Sequence, residues 1–460
     1  MTRQSQRAIQ ISVLAWVVAL VLAAPQAVHA GQYAISKIAI AGEVAPGAGG
    51  KLYGNSFFSV ALNDAGEVAF FNDLTGSFPS WGAFLYDSFG GQAVVLSGET
   101  APGTGGGSYL IQGGYPALNE AGEISFMAAV SGGAAASGIF VTPAIGGDLA
   151  AVVAGQAAPG TGGGSFDGSL SSLNRHGLNA SGVVAFADTV SGGSTASGVF
   201  LASGGAHAAV ALAGESAPDT GGGVYDDFGA PTLNDAGTVV FPALVAGGSV
   251  TGGLFASSAG VDSLLARVGD PAPGTGGTFA DFVFPEVNAS GTVLFLANLT
   301  GSAATGGVFR VEGGTASAVI VELDTAPGTG GGTYATLTGL ATLNDAGDVA
   351  FSATIAGGTT EAGVFRIDAA SGEVVPVVLF GEAAPDSGGA SFAQFGAVDV
   401  NDAGQVALQA TLSDGNTGIF LASEPMPVPA ASTLALMALG AGMLGAARAS
   451  HRQLTRGGRH

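Results

Sequence analysis

Cysteine is absent from all 460 residues. Its absence removes disulfide scaffolds, thiolate metal sites and cysteine nucleophiles. It leaves the compartment open, because an exported chain can do without disulfides. Charge is scarce and mostly of one sign, with 12 Lys and Arg against 34 Asp and Glu and a net charge of −22. Half of the basic residues crowd the two ends, as Arg3 and Arg7 and as Arg448, Arg452, Arg456 and Arg459. Between Gly31 and Ser423 only Lys37, Lys51, Arg175, Arg267, Arg310 and Arg366 face 33 acidic residues. Such a body repels a phosphate backbone, which excludes nucleic acid as a partner. Histidine is rare too: His176 and His207 are the two in this body, and they fall in different repeats. What the chain does have is 80 Gly and 47% hydrophobic residues, with no three-residue glycine period, so it folds and turns often.

The ends read as addresses. Arg3 and Arg7 precede an apolar run from Ile11 to Ala24, and Val28-His29-Ala30 puts small residues before Gly31. Residues 1–30 therefore read as a secretory signal peptide cut after Ala30, which requires export machinery and a signal peptidase. The run's 14 residues make about 21 Å of helix, short of a hydrocarbon core of about 30 Å. Near the other end, Glu424-Pro425-Met426-Pro427-Val428-Pro429 forms a stiff spacer over 424–429, because successive prolines fix φ. An apolar stretch at 430–447 is just long enough to span a membrane, and the arginine-rich 448–460 would stay cytoplasmic.

Spacer, span and basic stop together resemble the PEP-CTERM sorting signal. Pro427 and Pro429 stand as its two prolines and Ser432-Thr433-Leu434-Ala435-Leu436 as the start of its span, with Val428 where that family has Glu. The resemblance implies a Gram-negative cell, an inner-membrane intermediate, and an exosortase-type sorting protease. That protease would remove the tail and pass the protein to the outer surface or the medium.

Between the ends one unit recurs seven times. Asn63-Asp64-Ala65-Gly66-Glu67-Val68-Ala69-Phe70 returns from Asn119, Asn179, Asn234, Asn288, Asn344 and Asn401, at intervals of 56, 60, 55, 54, 56 and 57 residues. The pattern resembles the NxxGxxAF tandem-repeat family of secreted, choice-of-anchor proteins, which implies architecture and address but no activity. Each unit holds four short apolar runs of β character; in the second they are Tyr109 to Leu118, Ile124 to Val130, Gly138 to Thr142 and Leu149 to Ala154. The body starts with a surplus fourth run, Ile38 to Ala41, and stops after a third run, Ile419 to Ala422. That offset predicts a ring, closed by pairing its first and last segments. The expected fold over 31–423 is thus an all-β, seven-bladed propeller of four-stranded blades, closed by the N-terminal strand. The Asn-x-x-Gly hairpins should ring its axis.

Candidate sites are few. The hairpin carboxylates Asp64, Glu120, Asp235, Asp345 and Asp402 are candidate ligands of a calcium ion at the axis, with solvated turn residues as the plainer reading. No other cofactor is expected. A second series, Glu43, Glu99, Glu215, Asp270, Asp324 and Glu382, precedes Ala-Pro loops and is expected to bond nearby backbone N–H groups. Those glycine-rich loops lack the lysine and following helix of a phosphate site and read as crossovers. Asn174-Arg175-His176-Gly177 is an inserted near-duplicate turn carrying one of the body's few cations, and Trp81 and Tyr86 could stack on a sugar or simply pack. No catalytic residue can be named. The expected function is an exported, surface-sorted, non-catalytic protein of the envelope or matrix that binds polysaccharide. The alternative is a propeller glycan hydrolase or lyase with paired carboxylates, which requires a deep axial pocket where carboxylates of two blades converge.

Overall fold

A computed structural model of the chain describes residues 33–143, 147–168 and 175–424. The signal segment with its cut at Ala30, the spacer with Pro427 and Pro429, the span at 430–447 and the basic tail all lie outside the described residues. Among the described residues no helix is long and apolar enough to cross a membrane.

Seven antiparallel sheets form the seven blades of a β-propeller. In blade one the order from inside outward is Tyr53–Leu62, Val68–Leu74, Trp81–Asp87 and Gly90–Leu96. Blade seven takes three strands from the end of the body, Phe392–Val400, Val406–Leu412 and Thr417–Ser423, and its outermost strand, Ala34–Ile40, from the start. Ala34 pairs with Ser423 and Ile40 with Gly418. The strand offset seen in the sequence is therefore the closure of the ring, although both strands begin a few residues before the positions read there.

The innermost run departs from expectation. Tyr109 to Leu118, expected as one strand, is two short ones, Ser108–Leu110 and Ala117–Leu118, and four further blades break in the same place. The cause is local: Gly113 and Gly114 take φ of 93° and 141°, and Pro116 has no N–H for a ladder. Pro231 interrupts the run of blade four in the same way, whereas in blade five the break falls at 280–282 and Pro285 sits inside Val283–Val287 at a shift of register. These breaks carry backbone and side chains toward the axis.

The repeated phenylalanine explains the core. In blade two Tyr109 meets Phe140 edge to face at 4.8 Å and 87°, with Phe126 of the motif beside both. Phe166, Phe186 and Phe200 repeat the arrangement in blade three, and Phe279, Phe295 and Phe309 in blade five. Each fully buried ring contributes about 1.5–3 kcal/mol, and edge-to-face geometry suits its quadrupole. Glycine stands second in the third strand because the neighbouring strand and that ring crowd it: a Cβ at Gly138 would lie 2.6 Å from the carbonyl oxygen of Val152 and 3.1 Å from the ring of Phe140.

The Ala-Pro-Gly-Thr-Gly loops are self-contained crossovers. Thr104 Oγ1 donates to the Ala101 carbonyl at 2.6 Å and accepts from the Gly107 N–H at 3.1 Å, and Thr161, Thr220 and Thr329 repeat both bonds. The acid before each loop is equally local. Glu99 accepts from Leu96 N–H, Glu215 from Leu212 N–H and Asp324 from Val321 N–H, at 2.9–3.0 Å.

Candidate functional site

The inner strands of the seven units run along one axis, so residues at equal distance from the repeated asparagine stack into rings. The asparagine ring is a belt. Its Oδ1 accepts the N–H four residues on, as in Glu67 to Asn63 at 3.0 Å and Asp348 to Asn344 at 2.7 Å. Its Nδ2 donates to the carbonyl of the next unit's asparagine: Asn63 to Asn119, Asn119 to Asn179, Asn234 to Asn288, Asn288 to Asn344, Asn344 to Asn401 and Asn401 back to Asn63. Both ends of the amide are used, which fixes asparagine there.

One residue further along lies the mouth, where a cavity of about 210 Å³ is lined by Asp64, Glu120, Asp235, Asp345 and Asp402 with Ala180 and Ala289. The five expected calcium ligands are thus brought together, each facing the neighbouring hairpin. Asp402 N–H donates to Asp64 at 2.7 Å, Asp64 N–H to Glu120 at 3.0 Å, Ala180 N–H to Asp235 at 2.7 Å, Ala289 N–H to Asp345 at 2.6 Å and Ala346 N–H to Asp402 at 3.0 Å. Burial raises the Glu120 carboxyl above the ordinary range; the N–H of Asp64 opposes this, and the charges of Asp64, Asp402 and Asp345 add to it. Among the described residues no three Asp, Glu or His side chains are grouped closely enough to hold a metal ion.

Below the mouth, the residues immediately before the asparagines form an aliphatic collar, including Leu118, Leu178, Leu233 and Val287, which touch the cavities on both sides. Beyond the collar lies an axial cavity of about 180 Å³. The residues two before each asparagine all line it: Ala61, Ala117, Gly177, Thr232, Glu286, Thr342 and Asp399. Carboxylates therefore stand there in blades five and seven alone. Arg175 and His176 of the inserted turn enter from blade three.

Arg175 is the centre of this cluster. It pairs with Glu286 at 2.8 Å, and its guanidinium lies 5.8 Å from the ring centroid of Tyr115 and 5.9 Å from that of Phe284. Phe284 takes φ of 51°, a left-handed conformation that an aromatic residue adopts only under strain. The bulge at Phe284-Pro285 shifts the register before Glu286, the way bulges re-aim side chains at sites. Asp399 is half-buried and touches both cavities. Its carboxyl accepts from Leu62 N–H at 2.8 Å and Val400 N–H at 2.9 Å. Burial pushes it up to about 7, with the charge of Glu286 adding and the two N–H groups and Arg175 opposing. His176 bonds through Nε2 to Ser125 Oγ at 2.7 Å, and burial, helped by the charge of Arg175, pushes it down to about 4. The imidazole is neutral at ordinary pH.

The other residues singled out in the sequence have structural roles. Trp81 packs on Phe58 at 5.6 Å; Tyr86 stacks on Phe70 at 5.8 Å and meets the Tyr53 hydroxyl at 3.2 Å. His207 bonds the Ala151 carbonyl at 3.0 Å and lies edge-on to Phe166. Sequence reasoning found Arg175 and His176 but missed Glu286, Thr342, Asp399, Tyr115 and Phe284. The signal for the first three was the column two before the repeated asparagine. A larger apolar cleft of about 380 Å³ opens between blades four and five, at Phe228, Pro242, Leu244 and Phe282, but lacks this convergence of polar groups.

The model of a family of unknown function, DUF7453, matches residues 26–187, 138–305 and 301–424. No curated protein sequence matches the chain. Among solved structures the chain is similar to an oligogalacturonate lyase from Vibrio parahaemolyticus, at 8% identity and TM-score 0.48 over 86% of this chain and 98% of that one. It is also similar to a gluconolactonase from Xanthomonas campestris, at 8% identity and TM-score 0.35 over 86% of this chain and 92% of that one. A sialidase from Trypanosoma rangeli matches at 10% identity and TM-score 0.33, over 84% of this chain and 59% of that one. These likenesses assign no activity.

Proposed function

We propose that this chain, which belongs to the DUF7453 family of unknown function, is an exported, non-catalytic protein of the cell envelope or extracellular matrix that binds polysaccharide through its propeller axis. The observation that carries the binding reading is the Arg175–Glu286 pair, held at 2.8 Å beside the rings of Tyr115 and Phe284. A carboxylate oxygen already held by an arginine is a positioned acceptor, which suits recognition of a bound hydroxyl group. The address rests on the two end segments: export through the signal ending at Ala30, retention in the inner membrane through 430–447, then sorting to the surface at Pro427 and Pro429.

Two experiments test the parts separately. In affinity electrophoresis through gels containing neutral polysaccharides, the parent should be retarded and Arg175→Ala should run freely. Equal mobility of both in every gel sinks the axial binding reading. For the address, replacing Pro427 and Pro429 with alanine should leave an unprocessed, membrane-held form in the source cell. Unchanged processing would make the end segment an ordinary anchor.

The catalytic alternative has one observation in its favour: Glu286 and Asp399, from blades five and seven, line the same axial cavity. A bell-shaped pH–rate profile on a glycan, abolished by Glu286→Gln and by Asp399→Asn, would establish it.

A further inference from the structure

Two polar atoms at the axial cavity are unaccounted for. His176 Nδ1 and Thr342 Oγ1 are buried with no hydrogen-bond partner among the described residues, and both residues line the cavity at 7% and 6% exposure. A buried polar atom of this kind is costly unless something bonds to it. They come from blades three and six. Arg175, Glu286 and Asp399 add polar groups from blades three, five and seven, so hydrogen-bonding atoms approach the cavity from several sides of one axis.

The charges restrict what can enter. Arg175 is neutralised by Glu286, and Asp399 of blade seven is a second carboxyl lining the same cavity. An anion would meet two carboxyl groups with no unpaired cation among the described residues of the cavity. A compact cation would find Glu286 held by Arg175 and both Asp399 oxygens held by backbone N–H groups. What fits is an uncharged molecule with hydroxyl groups spaced around its edge, each able to donate to one partner and accept from another. A volume of about 180 Å³ admits a single small ring and not a folded chain segment.

We propose that the axial cavity binds one uncharged sugar ring, with His176 Nδ1 and Thr342 Oγ1 as recognition contacts for two of its hydroxyl groups. The inference rests on the reading of the axis as the saccharide site and names the ligand class and two specificity residues.

The test is isothermal titration of the purified chain with glucose, galactose and mannose, and with galacturonate and glucosamine as charged controls. At least one neutral hexose should bind more tightly than both charged sugars. Thr342→Val, nearly isosteric, should weaken that binding about tenfold. The same variant should melt at or above the parent's temperature, because it removes a buried hydroxyl that lacks a partner in the free protein. His176→Phe serves as the second variant. Failure of all three neutral hexoses to bind, tighter binding of a charged sugar, or unchanged affinity in Thr342→Val overturns the inference. Should the chain still be retarded by polysaccharide gels while no hexose binds, the saccharide surface lies elsewhere and the broader function stands. Loss of both retires the two together.

Discussion

Asn401 Nδ2 donates to the carbonyl oxygen of Asn63 at 3.0 Å, joining residues 338 positions apart in the chain. The same bond links five further pairs of neighbouring units, so the last repeat holds the first in the manner that each holds its neighbour. The belt fixes the axis, and the axis carries the site.

Asn401→Leu should therefore destabilise the propeller by about 1–3 kcal/mol, because it leaves Gln405 N–H without its acceptor and strips the Asn63 carbonyl of one of its two donors, the other being Gly66 N–H. Denaturant melts measure this directly. A loss under about 0.5 kcal/mol, the range of ordinary surface substitutions, would show that the belt is incidental.

Removing residues 31–42 takes away the outermost strand of blade seven, which pairs with Thr417–Ser423. An exposed edge and an opened ring should lower the melting temperature of the whole body in a single transition. An unchanged melt would contradict closure by this strand.

Much of this was legible in the sequence. The repeat of Asn63 to Phe70 and the surplus run near Ile38 were enough to read seven closed blades, because ring closure leaves a strand offset at the chain's two ends. The local role of Glu99 and its equivalents was readable because an acid three residues beyond an N–H bonds it within one turn. The axial cluster was not, since Arg175, Glu286 and Asp399 meet only after blades three, five and seven close around the axis. The breaks in the inner strands also escaped notice. At Phe284 the deciding feature is a positive φ, which no residue preference of phenylalanine announces. The third-strand glycines, such as Gly138, were visible as residues, but the Val152 carbonyl and the ring of Phe140 that crowd Gly138 come into contact only in the folded blade.

The two titrating groups at the axial cavity, His176 and Asp399, pull stability in opposite directions with pH. His176, pushed down to about 4, stays neutral when folded but takes a proton when unfolded below its ordinary value, so stability is lost as pH falls from about 6.5 to 4. Asp399, pushed up to about 7, keeps its proton when folded while the unfolded chain releases it, so stability is lost as pH rises from about 4 to 7. Between about pH 4 and 6.5 the two slopes oppose. Relative to the parent, Asp399→Asn should make stability rise with pH across this window, by at most about 1.4 kcal/mol per unit. His176→Phe should make it fall. Urea melts at half-unit intervals test the pair, and parallel profiles for parent and both variants would refute the assignment.

Calcium should act on the mouth as a general electrolyte. Asp64, Glu120, Asp235, Asp345 and Asp402 each hold a neighbouring N–H, and a bound ion would have to compete for those oxygens. Raising calcium to millimolar levels should stabilise the fold no more than sodium chloride of equal ionic strength. A larger gain from calcium that disappears when the five are changed to amides would establish the axial metal site instead.

Polymer length after binding tests the central claim most directly. The chain is incubated with each neutral polysaccharide that retards it, and both retention and new reducing ends are measured on the same sample. The account predicts retention that depends on Arg175 with no shortening of the polymer over many hours. Steady release of new ends, lost in Glu286→Gln and in Asp399→Asn while retention persists, would contradict it and make the axial cavity an active site.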